Sequence, residues 1–405
     1  MTASVRAYLG DDVIDALRRP VLDEARGLPA KVYTDEQFLV MENASLFPST
    51  WTGVAFASDV PATGDAMPFE FCGVPLVLVR DQQGEVRVFQ NVCRHRATIV
   101  VQEPVRGQST LKCPYHGWVY GLDGALKATP FWDGTADAQQ LPVDASCNGL
   151  VSVRSGVWNH VVFVNLDGNA APLLEYLAPM DAELAHLDIA ELEVGHREEW
   201  TFAANWKLVM ENWEVYHHVW VHEGVFDRMS DEVDTRTGEP YTEMAAEGSA
   251  LFLRYKARRP KSPPKVVGDV LPPVRQLAER ATPHSTANAI LPNTTVTITD
   301  YGFAPAIYLP EAPGQTLARM AWYFAPGATE PRYRAHVDQI LDRWLGPTRR
   351  YADRGGIRPQ DHHCMELQQR ARNSPVANDV KFSTTWEANV RYFQDWVIRQ
   401  MGCDA

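Results

Sequence analysis

The chain has 405 residues, 45% hydrophobic and 22% charged, with a formal net charge of −13 at pH 7. That length accommodates two domains, or one large domain carrying an insertion. The acidic balance excludes the basic face a nucleic-acid partner requires. No apolar run is long enough to cross a bilayer, and the opening MTASVRAYLGDDVIDALRRP carries acids where a signal peptide is basic and then apolar. A soluble cytoplasmic protein is therefore expected. The six cysteines lie at uneven positions, which does not suggest disulfides in such a protein, and only Cys93 and Cys113 have partners at ligand spacing.

Residues 1–45 read as polar-amphipathic helix. From 46 to 166 the pattern changes to short β-type runs, among them VPLVLVRD, EVRVFQN, WVYGLDGALKAT and VWNHVVFVNLDG, split by the hairpin-like turns DQQGE and LDGA. Helical patterning returns after about residue 170 in PLLEYLAPMDAELAHL. In ANWKLVMENWEVYHHVWVH, at 204–222, Trp206, Val209, Met210, Trp213, His217 and Trp220 recur at three- and four-residue steps, which predicts a helix with one buried face. LFLRYKARR, NTTVTITDYG and LARMAWYFAP read as strands, 257–285 as a proline-rich surface loop, and 330–353 and 386–401 as helices. The layout predicts an α+β protein. A small all-β domain at 46–166 is inserted near the front of a helix-plus-antiparallel-sheet domain built from 1–45 and 167–405.

Two stretches carry metal-ligand chemistry. NVCRHRATIV supplies Cys93 and His95, and LKCPYHGWVYG supplies Cys113 and His116, with seventeen residues between His95 and Cys113. Two cysteines and two histidines suit either a structural zinc ion or a [2Fe–2S] cluster whose irons take two thiolates and two imidazoles, the Rieske arrangement. Zinc fingers usually pair like with like, whereas here each loop contributes one Cys and one His, so each reaches across both irons. CRHR and CPYHGWVYGLDG closely resemble the Rieske ligand loops of ring-hydroxylating oxygenases.

The second stretch, EVYHHVWVH, holds His217, His218 and His222. On an ideal helix His218 and His222 lie about 40° apart and His217 and His222 about 140° apart, so geometry nominates His218 with His222. The pattern NWK…EN…E-x-Y-H-x-x-x-x-H resembles the mononuclear-iron motif of Rieske non-haem iron oxygenase α subunits, and that resemblance nominates His217 with His222. A helix that breaks, or widens into a π-type turn, between 217 and 222 would reconcile the two. The resemblance further implies that Glu214, where many members carry Asp, bridges the iron site to a Rieske histidine. A carboxylate should complete a two-His, one-acid triad. IRPQDHHCMELQQRARNSP resembles the family's later ligand segment and assigns that role to Asp361, whose competing explanation is a helix N-cap. His362 and His363 are read as flanking polar residues.

The resemblance implies a helix-grip-like catalytic domain and the oxygenase component of a multicomponent system. No convincing G-x-G-x-x-G loop follows a strand, so electrons from NAD(P)H would arrive through a separate flavin reductase, with or without a ferredoxin. They would pass through the [2Fe–2S] cluster to a mononuclear Fe(II) that binds O2 beside a small-molecule substrate. A head-to-tail homotrimer is implied, alone or with a β subunit, in which Glu214 joins His116 of one subunit to His217 of the next. Trp213, Phe226, Tyr301, Phe303 and Tyr308 are candidate pocket aromatics, either an apolar lining or a cation box. Hydroxylation of an aromatic or hydrophobic molecule is the leading expectation. The alternatives are demethylation or hydroxylation of a quaternary ammonium compound and, in a different class, a non-catalytic electron-transfer subunit.

Overall fold

The computed structural model describes residues 4–134, 143–214, 217–222, 242–255, 266, 268–274, 284–346 and 356–403. Two compact units emerge, one made of Phe47–Ala170 and the other of Met1–Leu46 with Ala171–Ala405. The inserted domain was expected at 46–166.

The inserted unit is all β. Its six-stranded sheet runs in the order Thr52–Phe56, Val161–Asn165, Ser152–Trp158, Val86–Gln90, Val74–Arg80 and Ala66–Phe71, with antiparallel neighbours. A three-stranded sheet of Thr110–Lys112, Val119–Gly121 and Leu126–Ala128 accompanies it. The runs that read as β-type in sequence are strongly apolar, and Leu76, Val77, Leu78, Val79 and Val161 through Val164 are buried. At the LDGA turn Gly124 adopts φ +80°, and a Cβ there would come within 2.5 Å of the Phe89 ring. A side chain is therefore excluded twice over, by backbone conformation and by packing. Phe89 joins Val77, Val79, Leu111, Trp118, Tyr120, Cys93 and Cys113 in one buried cluster.

The other unit is a seven-stranded antiparallel sheet, in the order Glu193–Phe202, Gln315–Phe324, Gly302–Ala312, Thr294–Thr299, His284–Ile290, Ala250–Tyr255 and Thr242–Glu247. Its helices include Trp206–Glu211, Arg334–Leu345, Ile357–Ala371 and Ala388–Gln400. The N-terminal residues belong to this unit because polar contacts tie them to its far end. The Leu28 amide donates to Gln394 Oε1 at 2.8 Å, the Ala30 amide to Asn378 Oδ1 at 2.9 Å, and Arg18 Nε to Asp395 Oδ1 at 2.6 Å. Among the described residues no helix is long and apolar enough to cross a membrane.

Four strands of this sheet, Glu193–Phe202, Thr242–Glu247, His284–Ile290 and Gly302–Ala312, were not expected from the sequence. Glu193–Phe202 carries alternating half-buried and exposed residues, with His, Arg and Glu on both faces, so it lacks the apolar alternation that marks a strand. His284–Ile290 begins inside the segment expected to be a loop, and residues 257–265, 267 and 275–283 of that segment lie outside the described ones.

Candidate metal centres

The two Cys-His loops of the inserted unit are built alike. The Cys93 amide donates to the Thr98 carbonyl at 2.8 Å and the Ala97 amide to the Cys93 carbonyl at 3.0 Å. In the second loop the Cys113 amide donates to Trp118 O at 2.8 Å and the Gly117 amide to Cys113 O at 3.1 Å. The matching fourth positions both need positive φ, +55° at Ala97 and +73° at Gly117. Glycine adopts that conformation without cost, and Ala97 adopts it with strain.

These turns bring the four side chains together. Cys93 and Cys113 are buried, and the His95 and His116 rings lie 4.6 Å apart between centroids. His95 stacks on Trp118 at 5.1 Å with planes 7° apart, which fixes its ring. Burial, with His116 and Arg96 nearby, holds His95 below the ordinary histidine range, so it stays neutral. Its Nδ1 is buried and makes no hydrogen bond, as suits an atom reserved for a metal. Buried thiols and a neutral, partnerless imidazole are the donor set a [2Fe–2S] cluster takes.

Tyr120 adds a contact that the sequence did not signal. Its hydroxyl accepts the Arg94 amide at 3.0 Å, leaving its own hydrogen to point at Cys93 Sγ, 3.2 Å away. Hydrogen bonds to ligand sulfur favour the more negative, reduced cluster. Tyr120→Phe is therefore expected to lower the cluster potential. A bond worth about 1.4 kcal/mol more in the reduced state corresponds to about 60 mV for one electron. Redox titration of the cluster's visible absorption reads the shift, and an unchanged potential would remove Tyr120 from this role.

The second centre begins at the helix Trp206–Glu211. Asn205 caps it, its side chain accepting the Lys207 amide at 3.0 Å and donating to Pro313 O at 2.7 Å. Inside, Lys207 Nζ pairs with Glu42 Oε1 at 2.6 Å, and neither side chain is exposed. Beyond Glu211 the chain tightens instead of widening. Asn212–Glu214 and Val219–Val221 are 3-10 turns, and the His217 amide donates back three residues to Glu214 O, as the Val221 amide does to His218 O. The expected π-type turn is absent among the described residues of this segment, and a π-helical turn occurs instead at Glu42–Leu46.

Through these turns it is His218, and not the expected His217, that lies beside His222 and Asp361. His218, His222 and Asp361 offer ligand atoms that all lie within 4.8 Å of one another. His218 Nε2 is 3.2 Å and His222 Nε2 3.5 Å from Asp361 Oδ1. His217 lies outside this group, 40% exposed, with Nδ1 3.3 Å from Glu387 Oε1 and its ring stacked over Trp386. Glu214 likewise contacts the second histidine of the pair, its Oε2 lying 2.8 Å from His218 Nδ1. The helix carrying Asp361 starts at Ile357 behind Gly356, so Asp361 sits inside the helix and is not its N-cap.

The electrostatics fit a cation. Burial opposes charge on His218, but the carboxylates of Glu214 and Asp361 outweigh it and hold its pKa above the ordinary range. Burial likewise opposes charge on Asp361, and His222 and His218 outweigh it, so the carboxyl stays ionised. His218 Nε2 and Asp361 Oδ1 meet as close polar contacts that are not aligned as hydrogen bonds. Two imidazoles and one carboxylate converging in this way match the facial triad that holds iron and leaves positions open.

Of the flanking residues, His363 stays on an exposed face but His362 is buried. His362 Nδ1 accepts the Trp200 indole N–H at 3.2 Å and its ring stacks on Phe202 at 4.5 Å. Burial and nearby Arg358 press its pKa down to about 3, so it remains a neutral acceptor that ties the Asp361 helix to the sheet. Of the candidate pocket aromatics, Tyr301 packs edge-on against His336 and Phe303 against Tyr323. Tyr308 is buried in the sheet, Trp213 lies on the turn before Glu214, and Phe226 falls outside the described residues.

Comparison with known proteins finds a match for each of the two domains. The catalytic domain of the ring-hydroxylating α subunit matches residues 189–403, and the Rieske [2Fe–2S] domain matches residues 50–141. The glycine betaine monooxygenase oxygenase subunit of Chromohalobacter salexigens is 27% identical over 95% of this chain and 89% of its own length. The 2-aminobenzenesulfonate 2,3-dioxygenase α subunit of an Alcaligenes species is 30% identical over 57% of this chain and 58% of its own. Among solved structures, a quaternary ammonium Rieske monooxygenase with γ-butyrobetaine aligns over 96% of this chain and 98% of its own, with a TM-score of 0.72 and 20% identity. Naphthalene 1,2-dioxygenase from Rhodococcus aligns over 98% and 100%, with a TM-score of 0.73 and 20% identity, so the fold is shared by both.

Proposed function

Given that this chain belongs to the ring-hydroxylating oxygenase α-subunit family, with a Rieske [2Fe–2S] domain ahead of a mononuclear-iron catalytic domain, we propose that it monooxygenates a small quaternary ammonium compound. The observation that carries the reading is the convergence of His218, His222 and Asp361 in a chain that also holds the Cys93/His95/Cys113/His116 loops. We assign the iron to those three residues, and it supplies the means of activating O2 with electrons relayed from the cluster.

Each residue has a defined task. His218, His222 and Asp361 would hold the ion, which would supply the activation of O2. Glu214, with Oε2 2.8 Å from His218 Nδ1, would orient that imidazole so that Nε2 is left for the ion. In a head-to-tail homotrimer Glu214 would also accept a hydrogen bond from His116 of the adjoining subunit, and a monomer would then turn over poorly. Electrons reach the cluster from NAD(P)H through a separate reductase, with or without a ferredoxin, in the cytoplasm. In the overall reaction one oxygen atom enters a substrate C–H bond and the other leaves as water, consuming two electrons and two protons. Hydroxylation of an N-methyl group would then release formaldehyde and the tertiary amine.

Two observations support a cationic substrate. The similarity to the glycine betaine enzyme runs along nearly the whole of both chains. The net charge of −13, with Glu214, Asp361 and Glu387 around the site segment, favours cations over anions. Oxygenation of an aromatic compound is the second reading, supported by the 30% identity to the aminobenzenesulfonate dioxygenase. The test is product analysis with reconstituted protein, reductase and NADH across betaines, trimethylammonium acids and aromatic acids. Formaldehyde formed in step with oxygen uptake is expected from a quaternary ammonium substrate. Product from aromatic acids alone would overturn the primary reading in favour of the second.

A further inference from the structure

The geometry points to Gln360 as the positioning residue for His222, an inference that rests on the metal reading above. His222 is fully buried and Gln360 nearly so. His222 Nδ1 and Gln360 Oε1 lie 3.2 Å apart. An amide oxygen only accepts, so the proton of the neutral imidazole sits on Nδ1. The lone pair is then on Nε2, the nitrogen that faces Asp361 Oδ1. Were Nε2 protonated instead, His222 could not bind a metal there.

Gln360 is well placed to hold this tautomer because it is covalently next to Asp361. One turn of the helix Ile357–Ala371 thus presents both the acid and the group that fixes one imidazole. That helix packs directly on Val219–Val221, the turn leading into His222. The two imidazoles are treated differently. His218 leans on the carboxylate of Glu214, whereas His222 leans on a neutral amide. A second carboxylate at 360 would add negative charge beside Asp361 and make His222 a stronger donor. The amide fixes the tautomer without that charge.

The test uses the full chain with its cluster intact, freed of mononuclear metal by chelation, with Co(II) as the probe in competition with a chelator. Gln360→Met keeps the side-chain length but removes the acceptor, and should weaken Co(II) binding about 10- to 100-fold. Gln360→Glu keeps the acceptor and should bind at least as tightly as the wild type, with an altered high-spin Co(II) EPR signal. Cluster absorption and melting temperature should be unchanged in both. Wild-type affinity in Gln360→Met, with Co(II) lost in His222→Ala, would overturn the positioning role and leave the metal assignment standing. Wild-type affinity in both would overturn the metal assignment itself. If Gln360→Met does not fold, Gln360→Glu decides, because weakened binding there contradicts the role.

Discussion

His218→Ala is expected to strip the mononuclear iron and abolish product formation while leaving the Rieske absorption and EPR spectra intact. The corresponding His217→Ala should keep its iron. The contrast follows from turn geometry. With amides donating three residues back, His218 turns toward Asp361 at 3.2 Å and His217 turns out toward Glu387. Removing one of three ligands costs the ion far more than removing a group on the periphery, for which 10- to 100-fold effects are typical. Some activity should be lost in His217→Ala, since its imidazole holds Glu387 and covers Trp386 beside the site segment. Iron per chain, measured after anaerobic loading and desalting, separates the two variants. Iron lost from His217→Ala and kept in His218→Ala would reverse the assignment.

Glu42→Gln is expected to destabilise the catalytic unit by about 3–5 kcal/mol, as breaking a buried ion pair from one side does. Glu42 and Lys207 are both wholly buried, 2.6 Å apart, and Trp206 Nε1 donates to the other Glu42 oxygen at 3.3 Å. Burial pushes the Glu42 carboxyl up and the Lys207 ammonium down, and the charge of each partner works against that shift. Glutamine keeps the shape and strands the ammonium. The double replacement Glu42→Leu with Lys207→Met removes both charges and should recover most of the loss. Urea unfolding followed by tryptophan fluorescence measures this. Equal destabilisation in the single and double variants would mean that packing, not charge, is what position 42 supplies. The pair secures the helix from which the site turns depart, so Glu42→Gln should also bind iron less tightly.

The two centres were legible in the sequence to different degrees, for a physical reason. Each Cys-His loop is a local device, with its ligands, positive-φ residue and closing hydrogen bonds inside about six residues, so its spacing states its geometry. The same holds for the strongly apolar strands of the inserted unit. The mononuclear site is assembled across 140 residues, and its register depends on how tightly the chain turns between 214 and 222. Sequence nominated His222 and Asp361, which the fold brings together, but neither an ideal helix nor a π-type turn describes the segment found. The ideal-helix argument favoured His218 and the family pattern favoured His217. The i-to-i+3 turns place the former inward. Gln360, Tyr120 and buried His362 act through long-range contacts that no spacing encodes. The strand Glu193–Phe202 escaped because its inward face interrupts Val194, Trp200 and Phe202 with His196 and Glu198.

The most direct test of the iron assignment is an anomalous difference map, recorded at the iron absorption edge, from crystals of the iron-loaded protein. Strong density is expected between Cys93, His95, Cys113 and His116, and a separate single peak bonded to His218 Nε2, His222 Nε2 and Asp361, with Gln360 on His222 Nδ1. A mononuclear peak bonded to His217 in place of His218, or none near Asp361, would contradict it.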